Sequence, residues 1–243
     1  MRDLVDNVFH YAGATLILGN ADELSSEFSG RADLILTDPP YKLTSGGKPK
    51  ADTGDFKRMS GMFSGDVYDN SGLLMDVPSW AEVTDVITRL AGPNAEAYVM
   101  ANDKNIFKAQ ACMQTNGWKL HNLLVWDTLH PKPNRFYMKH LEFVLYMWKG
   151  KARGINNKGS KQLKSGRRGP DEQKVHDTQK PLDLLAYYVE NSTNPGDLVI
   201  DPYAGSGSTL IAAARAGRRA IGFEVDPKRF RVACDNISDH LSR

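Results

Sequence analysis

Cysteine, long apolar runs and net charge are all scarce in this chain, and each scarcity removes a class of protein. Two cysteines occur among 243 residues, Cys112 and Cys234. They lie far apart, each in a stretch of helical periodicity, with no Cys-x-x-Cys or Cys/His cluster, so neither a disulfide nor a structural zinc is expected. The histidines, His10, His121, His130, His140, His176 and His240, are equally scattered, and no metal is expected. No apolar run approaches the roughly 18 residues that span a bilayer, and no early stretch has the build of a secretion signal. The chain therefore reads as an unprocessed cytoplasmic protein with no membrane partner. Net charge is only +2, but it is unevenly spread. Lys149, Lys151, Arg153, Lys158, Lys161, Lys164, Arg167, Arg168 and Lys174 stand against Asp171 and Glu172 alone, giving +7 there and −5 over the rest.

What is present is enough apolar residue, 41%, to build one α/β domain over 1–243. Runs rich in Ile, Val, Leu and aromatics predict strands at Ala14 to Leu18, Asp33 to Leu36, Ala95 to Met100, Leu120 to Trp126, Phe143 to Trp148, Leu198 to Ile200 and Ala220 to Phe223. Helical patterns fall at Trp80 to Leu90, Ile106 to Thr115, Pro181 to Asn191, Thr209 to Ala216 and Pro227 to Ile237, with Pro181 and Pro227 suited to first turns. The alternation predicts a doubly wound, mostly parallel, seven-stranded sheet that binds ligands at its carboxyl edge. Two stretches break the rhythm. Lys42 to Pro78 is Gly- and Ser-rich without a period and is expected to be a mobile lid or loop. Gly150 to Val175 is the basic stretch, also aperiodic.

Leu198-Val199-Ile200-Asp201-Pro202-Tyr203-Ala204-Gly205-Ser206-Gly207 is an apolar strand, an acid at its end and a glycine-rich turn before a helix. Gly205 and Gly207 permit close backbone approach, and the helix start offers free N–H groups. That pattern alone suits many nucleotide-type cofactors or plain tight packing. The next strand ends in Glu224, which either accepts from ribose hydroxyls or caps the helix from Pro227.

Ala32-Asp33-Leu34-Ile35-Leu36-Thr37 runs into Asp38-Pro39-Pro40-Tyr41. The prolines stiffen the exit from the strand and cannot donate hydrogen bonds. An amine conjugated to a base ring is a poor nucleophile because its lone pair is delocalised. Acceptors on its N–H groups, here the Asp38 carboxylate and the Pro39 carbonyl, would localise that pair, and Tyr41 offers a face for a base drawn from a duplex.

Asp38-Pro39-Pro40-Tyr41 near the start with Asp201-Pro202-Tyr203-Ala204-Gly205-Ser206-Gly207 near the end resembles the bacterial and phage DNA amino-methyltransferases of the permuted β class. In those enzymes the catalytic half precedes the cofactor half. His176-Asp177-Thr178-Gln179-Lys180-Pro181 is similar to the family's His-Pro-x-Gln-Lys-Pro motif. Leu124-Val125-Trp126-Asp127, Asn134-Arg135 and Glu142 look like its later catalytic-half strands. The likeness covers most of the chain and implies a Rossmann-like methyltransferase fold in circularly permuted motif order, with S-adenosyl-methionine as cofactor.

By that resemblance Asp201, Tyr203, Ala204, Gly205, Ser206 and Gly207 line the cofactor, with Asp38 beside them, and Glu224 holds its ribose. Gln179, Lys180 and Pro181 meet its methionine end, and Asn20-Ala21 its adenine; Asp38, Pro39, Pro40 and Tyr41 handle the target base. Double-stranded DNA is the expected partner, touched by Lys132, Arg135, Lys158, Lys161, Lys164, Arg167 and Arg168, and a homodimer is the implied assembly. Asn20 and Asp177 replace the family's usual Asp and Pro. The expected reaction is direct displacement onto adenine N6, with cytosine N4 the alternative; RNA or protein amide methylation and silent binding are further readings. Cytosine C5 chemistry is disfavoured because neither Cys112 nor Cys234 has the setting of a nucleophile.

Overall fold

Strands buried on both faces need continuous apolar runs, and the runs at Leu34–Leu36, Ala97–Ala101 and Leu198–Ile200 are all buried. The structure, a computed structural model, describes residues 3–5, 7–40, 77–133, 136–166 and 179–242. Two units divide the chain, 1–39 with 80–243 and 40–79. Of the second, only Pro40 and residues 77–79 are described, so nearly all of the expected lid lies outside the described residues.

The strands are β1 (Asp3–Val5), β2 (Val8–Tyr11), β3 (Ala14–Leu18), β4 (Ala32–Thr37), β5 (Ala91–Ala101), β6 (Lys119–Lys132), β7 (Lys139–Trp148), β8 (Leu163–Ser165), β9 (Leu198–Asp201) and β10 (Arg219–Glu224). They form one sheet in the order β1-β2-β3-β10-β9-β4-β5-β7-β6-β8. β3, β10, β9, β4 and β5 run parallel, while β7 is antiparallel to both β5 and β6. All seven expected strands are there, but the count of seven is corrected to ten among the described residues. β1, β2 and β8 have three or four residues each, too few for a periodicity to register. β8 also corrects the reading of the basic stretch as wholly aperiodic: it pairs with β6, Lys164 opposite Trp126.

The helices are α1 (Ala21–Leu24), α2 (Trp80–Leu90), α3 (Ile106–Thr115), α4 (Leu182–Ser192), α5 (Ser208–Arg215) and α6 (Pro227–Leu241). α4, α5 and α6 cover one face, packing Leu184, Leu185, Leu210, Ile211 and Ile237 around Leu34 and Leu36; α2 and α3 cover the other. Pro227 takes the first helical position as expected, with the Asp226 carboxylate accepting from the Lys228 and Arg229 N–H groups. Pro181 instead caps α4 from outside, with extended backbone, so the helix begins one residue later than expected.

Candidate active site

Parallel strands release their carboxyl ends on one edge, and β3, β10, β9 and β4 stand side by side there. Asn20 follows β3, Glu224 ends β10, Asp201 ends β9 and Asp38 follows β4. Residues scattered from 20 to 224 thus become neighbours along a single edge.

The glycine-rich turn is pinned from all sides. The Ala204 N–H donates to the Phe223 carbonyl at 2.9 Å, the Gly207 N–H to the Ala204 carbonyl at 2.8 Å, and Asn236 Nδ2, from α6, to the Ser206 carbonyl at 2.7 Å. Ser206 and Ser208 hydroxyls share a hydrogen bond of 2.8 Å. Gly205 and Gly207 adopt φ of 51° and 78°, where a side chain is strained. At Gly207 a Cβ would come within 2.9 Å of Ile237, so this glycine serves packing. At Gly205 it would meet only the Tyr203 carbonyl at 4.0 Å, leaving open ground on the edge.

Asp201, 3% exposed, has one carboxylate oxygen accepting from the Thr37 hydroxyl at 2.8 Å and the Tyr203 N–H at 3.0 Å. Burial pushes its carboxyl up to about 6, although those donors and the Thr209 hydroxyl pull the other way. Glu224 is also raised by burial, against the N–H groups of Asp226 and Gly205 that its carboxylate accepts. The Asn20 side chain caps α1 by accepting from the Asp22 N–H at 3.0 Å, which Asp would do equally well. Ala21 is buried, and the Gly19 N–H ties this segment to the Glu224 carbonyl at 2.9 Å.

Asp38 is gripped by Lys180. The Lys180 ammonium contacts Asp38 Oδ2 and lies 3.2 Å from Glu142 Oε2 on β7, with only 11% of its side chain exposed. Burial raises the Asp38 carboxyl above the ordinary carboxylate value; the Lys180 charge opposes this, and the Glu142 charge adds to it. Gln179, beside Lys180, is buried, as is Pro39.

The structure therefore gathers Asn20, Ala21, Asp38, Pro39, Lys180, Asp201, Tyr203, Ala204, Gly205, Ser206, Gly207 and Glu224 at one edge. Tyr41, Arg135, Arg167 and Arg168 lie outside the described residues, as does the Lys132 side chain. Lys158 and Lys161 are exposed on the stretch leading into β8, and Lys164 Nζ sits 5.0 Å from the Tyr187 ring centroid. Sequence reading missed Thr37 and Asn236 as site residues and had Glu142 only as part of a catalytic-half strand. Thr37 directly precedes Asp38, a signal that was available; nothing local marks Asn236 on its helix.

The edge offers acceptors to hydroxyls and to positive charge, and the open Gly205 surface allows a ligand to lie against the backbone. A nucleoside bearing a cationic centre fits that donor and acceptor set. Five adjacent parallel strands within a mixed sheet covered by helices on both faces, with acids at neighbouring strand ends and a glycine-rich turn, make a Rossmann-like nucleotide-binding arrangement.

A sequence profile of a family described as DNA methylase matches residues 32–235. Type II methyltransferase M2.DpnII of Streptococcus pneumoniae is 28% identical over 226 residues, 83% of this chain and 80% of that one. The crystal structure of the M1.HpyAVI-SAM complex superposes with a TM-score of 0.65 at 24% identity, covering 91% of this chain and 98% of that one. The cytosine-N4-specific PvuII DNA methyltransferase superposes with a TM-score of 0.68 at 17% identity, covering 95% and 92%. The chain belongs to the DNA methylase family. It is an enzyme, an S-adenosyl-methionine-dependent DNA methyltransferase of the group that modifies exocyclic amines. Among the described residues no cluster could hold a metal ion and no helix is long and apolar enough to cross a membrane.

Proposed function

We propose that this enzyme methylates adenine N6 in double-stranded DNA, by direct displacement onto a base rotated out of the stack. The observation that carries the reading is the Asp38 carboxylate, held by Lys180 at the mouth of β4 beside the glycine-rich turn. S-adenosyl-methionine, when bound, supplies an electrophilic methyl group on a sulfonium centre. Glu224 accepts from its ribose hydroxyls, and the Gly205 surface takes its backbone-facing side. Asn20 and Ala21 border its adenine; Gln179 and Pro181 border its methionine end.

Asp38 accepts from the base amine, which localises the nitrogen lone pair, and its carboxylate is the nearest acceptor for the proton that transfer releases. Tyr41 supplies the stacking face, and Pro39 and Pro40 hold the intervening backbone stiff. Lys180, expected on the cofactor, is better read as a positioning residue: its ammonium favours the ionised Asp38 against burial, and Glu142 balances its charge. Lys132, Arg135, Lys158, Lys161, Lys164, Arg167 and Arg168 meet DNA phosphates, with 150–175 as a short target-recognition stretch and 42–78 as a mobile lid. The enzyme works in the cytoplasm of a bacterium or a phage-infected cell, and a homodimer is its assembly.

The test is transfer of radiolabelled methyl from S-adenosyl-methionine to unmethylated genomic DNA by wild type and Asp38→Ala, followed by nucleoside analysis. Label in N6-methyladenine, reduced on the order of 100-fold or more in the mutant, supports the reading. Label in N4-methylcytosine would replace adenine by cytosine, and no label in DNA would end it.

A further inference from the structure

β6 and β7 form an arm that leaves the sheet on the same edge as Asp38. Ala101, the last residue of β5, pairs with Phe143 of β7, so Lys139–Glu142 run on past the neighbouring strand. Four residues at the rise of a strand carry the arm about 13 Å outward. β7 is antiparallel to β5, which sends this extension off the carboxyl edge, and its root residue Glu142 touches Lys180, the partner of Asp38.

The end of the arm carries large apolar side chains that no core covers. Tyr137 is 93% exposed, Phe136 79% and Met138 55%, with Leu129 and Leu141 on the two strands also exposed. Such a cluster on a protruding element marks a contact surface. Its support is firm. Asp127 Oδ1 accepts from the Leu129 N–H at 2.8 Å, the Thr128 hydroxyl donates to the His140 carbonyl at 2.9 Å, and Lys139 pairs with Asp103 at 3.0 Å.

What lies above the catalytic edge in a DNA methyltransferase is the duplex. Lys161 and Lys164 stand on the β8 stretch that adjoins β6 at the root of the arm, as suits a polyanion. We propose that the tip of this arm, Tyr137 foremost, enters the base stack of duplex DNA beside the target and fills the space that the rotated base leaves. Rotating a base out forfeits its stacking, and an inserted ring restores part of it. The inference rests on the DNA reading above and adds the contact that opens the duplex.

The test compares methyl transfer from S-adenosyl-methionine to native and to heat-denatured unmethylated genomic DNA, for wild type, Tyr137→Ala and Tyr137→Phe, with S-adenosyl-methionine binding by calorimetry as the folding control. Tyr137→Ala is expected to lose about ten-fold or more on native DNA and no more than about two-fold on denatured DNA, where little stack has to be opened. Tyr137→Phe keeps native activity, because stacking needs the ring and not the hydroxyl. Undiminished transfer to native DNA, an equal loss on both forms, a Phe variant as impaired as Ala, or a wild type confined to denatured DNA would each overturn the inference. A wild type that labels neither form overturns the functional reading instead.

Discussion

Asp38 accepts most strongly from an amine when it is charged, yet burial favours its neutral form. Lys180 and Glu142 push that balance in opposite directions, and this makes their roles separable. In Lys180→Met the carboxyl loses its compensating cation, so the acid limb of the kcat/KM profile moves to higher pH. In Glu142→Gln a repelling charge disappears and the limb moves to lower pH. Shifts of the same sign in both variants, or none, would separate Lys180 from Asp38 function. Asp201 invites a stability measurement. Its folded carboxyl, near 6, binds a proton more tightly than an unfolded Asp at about 3.9. Its contribution to stability is therefore fully present below about pH 4 and is lost as pH rises through about 6. Urea unfolding across that window should show a larger loss in wild type than in Asp201→Asn, since Asn keeps an acceptor for Thr37 and Tyr203 but does not titrate, while the raised Asp38 and Glu224 carboxyls act alike in both.

The two strained glycines divide one turn into two jobs. Gly207→Ala sets a left-handed alanine against Ile237 on α6, which costs roughly 1–3 kcal/mol and lowers Tm by roughly 3–10 °C. Gly205→Ala meets open ground, so differential scanning should show a smaller drop in Tm beside a clear loss of S-adenosyl-methionine affinity. Equal drops in Tm with unchanged affinity would remove Gly205 from the cofactor surface. Helical periodicity was legible in α2 and α3, which begin and end where their patterns do. β8 was not legible, because three residues carry no period and its pairing with β6, Val125 to Leu163, is decided 38 residues away. The reach of the β6–β7 arm was equally hidden, since it depends on where β5 stops.

Net charge near zero conceals a basic stretch, and only its salt dependence can say whether that stretch meets phosphates. Replacing Lys158 and Lys161 by Ala should reduce the slope of log Kobs against log salt by about one per lost contact. An unchanged slope would leave both as solvated surface. The same contrast of local and distant runs through the site. Asp38-Pro39-Pro40-Tyr41 and the glycine-rich turn are contiguous strings; residue chemistry read an amine-binding acid in the first, periodicity read a mostly parallel sheet around both, and resemblance to a family's permuted motif order made the turn a cofactor site. Lys180 on Asp38, 142 residues apart, and Thr37 on Asp201, 164 apart, were decided only by tertiary structure. Sheet order brings those pairs together, and that order follows from burying apolar faces across the whole chain, a global balance that no local string encodes.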